Sequence, residues 1–248
     1  MIIIKNKDEI ARLREANRII AELFEHIRTM IQPGITTMEL DQEAELFIRA
    51  RNARPAFKGY QGFPGTLCTS INEEVVHGIP GSRKLKNGDI IGLDVGAIRD
   101  GFCSDACRTF AVGKISKQAE KLMDVTRKSR DAGIAQAVPG GHIGDIGAAV
   151  QKIVESSGFS VVRDFVGHGI GRDIHEDPQI PNFGTRGAGP EIREGMVFAI
   201  EPMVNQGTWK VKVLKDGWTT VTADGKLSAH FENSIAVTTE GPVVLTAL

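Results

Sequence analysis

The sequence predicts an α+β domain built from two related halves, and three observations predict it. A helix, a Pro-Gly stop and a second helix open the chain, and the same order returns with Pro139-Gly140 placed 106 residues after Pro33-Gly34. The stretch 86–95 (KNGDIIGLDV) is matched by 193–202 (REGMVFAIEP), with Gly195 for Gly88 and Glu201 for Asp94, both 107 residues on. Asp100-Gly101 separates two alternating apolar segments, the pattern of a tight antiparallel hairpin. Together these define one 248-residue domain, 1–248, with pseudo-repeats of about 6–112 and 116–240.

The first half begins with Asn6 and Glu9 at capping-box spacing. Ile10, Leu13, Ile20, Leu23, Phe24, Ile27 and Ile31 then recur at helical spacing up to Pro33-Gly34. Thr36 and Glu39 repeat the capping signal for a second helix, which Leu40, Ala44, Phe47 and Ile48 carry to about Arg51. A Gly- and aromatic-rich loop (57–65) and INEEVVHGIP (71–80) precede the hairpin. With a two-residue turn, Arg99 faces Phe102, Asp94 lies opposite Cys107, and Asp105 lies opposite Gly96. The two aspartates then share one face of the ribbon in diagonal positions. Two such charges ~4 Å apart repel by roughly 4 kcal/mol at an effective dielectric of ~20. A cation between them removes that cost.

In the second half Ser116 caps a helix carrying Ala119, Leu122, Met123, Ile134 and Val138. Ile146, Ala149, Val150, Ile153 and Val154 mark the next helix, stopped at Ser157-Gly158. The stretch 167–178 sets His168 and His175 among glycines, and Glu201 follows late in an apolar strand. The segment 228–237 is expected to form one alternating strand. His230, Glu232, Ser234 and Ala236 share one of its faces, and Phe231, Asn233, Ile235 and Val237 share the other.

Composition narrows the function classes. A net charge of −1 and the absence of any basic run beyond Arg83-Lys84-Leu85-Lys86 argue against direct nucleic-acid binding. No run of about 18 apolar residues occurs, so no membrane helix is expected, and MIIIKNKDEI lacks a signal peptide's apolar segment. Three cysteines, Cys68, Cys103 and Cys107, form no CxxC pair, and a reducing cytoplasm is their simplest home. No GxSxG, P-loop or HExxH motif is present.

What remains is a set of acids inside apolar strands. Charged groups there are rarely buried unless paired or bound to metal. Asp94, Asp105, Glu201 and Glu232 carry four negative charges, which two divalent cations balance. Oxygen-rich ligation with a histidine suits manganese, iron or cobalt, with zinc also compatible. Two ions sharing a water lower its pKa towards ~7, an arrangement that aminopeptidases use.

Five motifs, NEEVVHGIP (72–80), DVGAIRDGFCSD (94–105), GHGIGRDIHEDPQIP (167–181), FAIEPMV (198–204) and HFENSIAVT (230–238), together resemble type I methionine aminopeptidases along essentially the whole chain. The resemblance implies the pita-bread fold and removal of N-terminal methionine from nascent proteins and peptides, preferably when the second residue is small. It implies two divalent metal ions (Co, Mn, Fe or Zn) held by Asp94, Asp105, His168, Glu201 and Glu232, and it selects His168 over His175 as the ligand. It also implies proton transfer by Glu201, oxyanion stabilisation by His175, and positioning of the scissile amide or second residue by His77. The methionine pocket would be lined by Phe57, Tyr60, Phe63, Cys68, Ile174 and Trp218. Nascent N-termini are the implied partners, with transient ribosome contact, in a cytoplasmic monomer.

Some positions depart from the family pattern. Asn233 stands where many relatives carry His, Gln61 where some carry His, and Ile174 where an aromatic is common. No long insertion separates His168, Glu201 and Glu232, which disfavours the type II branch, and no additional N-terminal domain is expected. The rival readings are a proline-specific peptidase on the same fold and a non-enzymatic pita-bread binding protein.

Overall fold

The computed structural model describes all 248 residues. Four helices start where capping and periodicity place them: α1 Lys7–Arg28, α2 Thr37–Arg49, α3 Lys117–Ile134, which stops short of an exposed Val138, and α4 Ile143–Ser156. Capping boxes at Asn6/Glu9 and Thr36/Glu39 satisfy the first free N–H groups of α1 and α2. Ser116 Oγ accepts the Ala119 N–H at 3.1 Å and starts α3. Helix α1 ends earlier than its apolar pattern does. Ile31 lies beyond it but still packs against the first-half core, so burial of the turn prolongs the pattern past the helix.

The first half lays α1 and α2 on an antiparallel sheet. Its long hairpin strands, Ile90–Arg99 and Phe102–Ala111, pair with Arg99 opposite Phe102, Asp94 opposite Cys107 and Gly96 opposite Asp105, the register expected from a two-residue turn. Leu67–Ile71 pairs along the other edge of Ile90–Arg99, with Cys68 opposite Asp94. Ile20, Leu23, Leu40 and Ile48 from the helices meet Leu67, Ile91, Leu93 and Val95 from the sheet in one apolar core. Fully burying each such side chain is worth roughly 1.5–3 kcal/mol.

The second half repeats the plan. Its five-stranded sheet runs Gly241–Val244, Asn233–Thr238, Val197–Ile200, Gly167–Gly169 and Glu176–Ile180. Ile134, Ile146, Phe198, Ile200 and Ile235 join α3 and α4 to that sheet.

The segment 228–237 is not one strand. It divides into Ser228–His230, paired with Met203–Asn205, and Asn233–Thr238, paired with Val197–Ile200. At the break the Phe231 N–H donates to the Pro202 carbonyl at 3.5 Å within the same half, whereas the Glu232 N–H crosses to the Cys107 carbonyl of the hairpin at 2.9 Å. The Ser234 hydroxyl donates to the Asp105 carbonyl at 2.8 Å, and the His230 N–H donates to Thr109 Oγ1 at 3.0 Å. The second half therefore takes hold of the hairpin at the residues flanking its acids.

Candidate active site

The cleft between the halves is lined by Asp94 and Asp105 from the hairpin and by His168, Glu201, His230 and Glu232 from the second half. The confirmed register sets both aspartates on the ribbon face that looks into it. His168 sits in the three-residue strand Gly167–Gly169, whose neighbours leave no room for side chains at the flanking positions. A Cβ on Gly167 would lie 2.3 Å from the Ala199 carbonyl oxygen, and one on Gly169 would lie 2.1 Å from that of Asp177. The glycines around this histidine are thus a requirement of close strand approach.

Asp105, His168 and Glu232 are 4%, 7% and 1% exposed, and each offers a ligand atom within 4.8 Å of the others. His168 Nε2 lies 3.4 Å from Glu201 Oε1 and 3.7 Å from Asp105 Oδ2. Its other nitrogen, Nδ1, donates to the Gly169 carbonyl at 2.9 Å, which turns the Nε2 lone pair towards the acids. Burial holds the ring neutral by lowering its pKa to about 4.

The electrostatics of the cleft's own side chains are unfavourable. Burial pushes Asp94 up to about 7 and Glu201 up to about 8. Asp105 and Glu232 are driven well above the usual carboxylate range by burial first and by neighbouring acids second. Asp94 Oδ1, Asp105 Oδ1, Glu232 Oε1 and His230 Nε2 are buried without any hydrogen-bond partner. Unsatisfied buried acceptors cost about 1–3 kcal/mol each, and more when charged. Four acids, three of them with unpartnered oxygens, beside a neutral imidazole fit divalent cations, which satisfy the lone pairs and offset the repulsion together.

The mouth of the cleft is aromatic. Phe63 and Trp218 meet edge to face with centroids 5.1 Å apart, and His77 stands edge-on to Phe165 and Trp218. Burial lowers His77 to about 4, so it is neutral at pH 7. His175 is exposed, and its Nδ1 is 2.9 Å from the Tyr60 hydroxyl. Its ring lies 4.4 Å from that of His168, centroid to centroid. Phe57, Tyr60, Phe63, Cys68 and Trp218 all line the cavity, whereas Ile174 does not. Ile174 is buried with Phe102, Ile170 and Val197, in the cluster against which Phe57 of the cavity wall also packs.

The cleft also contains walls that motif reasoning did not assign: Val76, Phe165, Val166, Met203 and His230. For His230 the signal was present, since alternation sets it on the face of Glu232. Phe165 carries no comparable local pattern.

A buried carboxylate–imidazole cleft at the junction of two duplicated halves defines a metal-dependent hydrolase. The chain belongs to metallopeptidase family M24, whose model matches residues 11–239. It is similar to the methionine aminopeptidase of Clostridium perfringens (strain 13 / Type A), with 54% identity over 248 residues, covering 100% of both chains. Its fold superposes on a crystal structure of methionine aminopeptidase from Thermotoga maritima with a TM-score of 0.98 at 44% identity, covering 100% of each. Prolidase from Pyrococcus furiosus shares the fold alone, with a TM-score of 0.81 at 22% identity over 99% of this chain and 66% of that one.

Proposed function

We infer that this chain removes N-terminal methionine from nascent proteins and peptides, preferring a small second residue. The observation that carries this reading is the convergence of four acids and His168 in one cleft, within a chain similar over its whole length to methionine aminopeptidases. We assign Asp94, Asp105, His168, Glu201 and Glu232 as the residues that would hold two divalent ions, with Co, Mn, Fe and Zn as the candidates. Bound there, such ions supply charge compensation and Lewis-acid activation of the substrate carbonyl and of water.

The chain's own groups do the rest. Glu201, at the cleft surface with 13% of its side chain exposed, takes a proton from the attacking water and returns it to the leaving amine. His175 donates to the developing oxyanion, and a Tyr60 hydroxyl proton on its Nδ1 leaves the Nε2 proton free to do so. Neutral His77 positions the scissile amide. Phe57, Tyr60, Phe63, Cys68 and Trp218 accept the methionine side chain, whose thioether gains from contact with aromatic rings. We place the enzyme in the cytoplasm as a monomer acting on chains emerging from the ribosome. No helix is long and apolar enough to cross a membrane.

Anaerobic hydrolysis of Met-Ala-Ser, Met-Leu and Xaa-Pro peptides with Mn, Fe, Co and Zn added in turn tests the reading. Release of methionine from Met-Ala-Ser, lost in Glu201→Ala, is expected. Cleavage of Xaa-Pro in preference to Met-Ala-Ser would move the chain to the proline-specific branch. Folding with no turnover under any metal would make it a binding module.

A further inference from the structure

We propose that His230 is a second imidazole ligand in the metal pocket, on the side of Glu201 opposite His168. The proposal rests on the metal-binding reading above, which assigns His168 alone among the histidines.

Glu201 is flanked symmetrically. His168 Nε2 stands 3.4 Å from its Oε1, and His230 Nε2 stands 3.5 Å from its Oε2. Both separations exceed the N–H···O range of about 2.7–3.2 Å. They match instead the edge of a coordination polyhedron: two ligands each about 2.1 Å from a tetrahedral ion are about 3.4 Å apart. His230 therefore approaches the carboxylate as an assigned ligand does.

The remaining surroundings of His230 leave its Nε2 unsatisfied. The residue is 3% exposed, lines the cleft, and its Nε2 has no partner. Its backbone is held firmly: the N–H donates to Thr109 Oγ1 at 3.0 Å, and the carbonyl accepts the Thr109 hydroxyl at 2.8 Å. Thr109 belongs to the hairpin strand that carries Asp105. The backbone of His230 is thus fixed to the same scaffold as the acids, and its Nε2 stands against Glu201 in the cleft. A polar nitrogen buried without a partner is costly, and coordination to a cation removes that cost.

Cobalt(II) loaded into the full chain provides the test, with imidazole ligands counted by X-ray absorption and affinity measured by calorimetric titration. Two coordinated imidazoles per chain are expected in the wild type, and one in each of His230→Gln and His168→Gln. His230→Gln should also weaken at least one Co(II) binding step by about 10-fold or more. His230→Asn is the second variant should the first fold poorly, judged by thermal unfolding of the metal-free protein. Tight Co(II) binding through one imidazole, unchanged by either His230 substitution, would overturn the proposal and leave the metal reading intact. A wild-type chain that binds no Co(II) would overturn both.

Discussion

Arg108 donates from Nη2 to Asn233 Oδ1 at 2.6 Å, and the same guanidinium donates to the carbonyls of Glu232 and Cys107. One side chain from the hairpin therefore holds the carbonyl of a proposed metal ligand in the other half and the side chain of the residue that follows it. Burial lowers its pKa to about 10, so it stays charged at neutral pH. Asn233 points away from the cleft, as alternation requires, and it also accepts the Thr246 hydroxyl at 3.0 Å.

Replacing Arg108 by Met should cost about 2–3 kcal/mol, because buried acceptors lose a charged donor. Urea unfolding of the metal-free chain measures this, and Arg108→Lys should recover part of the loss. A change below about 0.5 kcal/mol would show that the guanidinium contributes nothing beyond an ordinary surface contact.

Lys5 reaches from the N-terminal segment to Glu176 at 2.5 Å, with each side chain 4% exposed. Glu176 Oε1 also accepts the Arg172 N–H at 2.9 Å, so the carboxylate organises the turn that presents His175. Lys5→Met leaves that carboxylate buried and unpaired, and about 3–5 kcal/mol of stability should be lost. The double variant Lys5→Met/Glu176→Leu should regain much of it in thermal and urea unfolding. If the single and double variants are equally unstable, the pair is not what holds this turn.

His175→Ala should lower kcat by about 10²–10³-fold if the ring donates to the oxyanion. Tyr60→Phe keeps the aromatic wall and removes only the hydroxyl on Nδ1, so a smaller fall in kcat with little change in KM is expected. Steady-state kinetics on Met-Ala-Ser decide the matter. Loss confined to KM in His175→Ala would make the residue a binding group instead.

Much of this arrangement was legible in the sequence because it is local. Asp-Gly fixes the hairpin register, and the register alone sets Asp94 and Asp105 on one face. The recurrence of an acid at Glu201 points to the junction of the halves. The failures are tertiary. Residues 228–237 alternate like one strand, yet the chain breaks at Phe231-Glu232, where the Glu232 N–H turns to the hairpin's Cys107 carbonyl. Phe165 enters the cleft wall through long-range packing that no local period announces.

Removing metal should give the protein an unusual dependence on pH. In the metal-free chain Asp94 and Glu201 sit at about 7 and about 8, pushed up by burial. Unfolded carboxyls ionise near ~3.9 and ~4.3. Between those limits the folded chain holds more protons than the unfolded one, so stability falls as pH rises. His77 and His168, lowered to about 4, act in the opposite sense, losing stability as pH falls from about 6.5 towards 4. The opposing effects overlap below about 6.5, the ordinary histidine value. Above it, up to about 8, the acids act alone. In that window the unfolding free energy of the metal-free chain should fall with pH, by at most about 1.4 kcal/mol per pH unit for each titrating group. Divalent metal keeps the acids ionised and should flatten the slope while raising Tm. Denaturant unfolding across this window, with and without Mn(II), measures both effects. A metal-free chain whose stability rises with pH there would mean that the acids are not held protonated in the cleft.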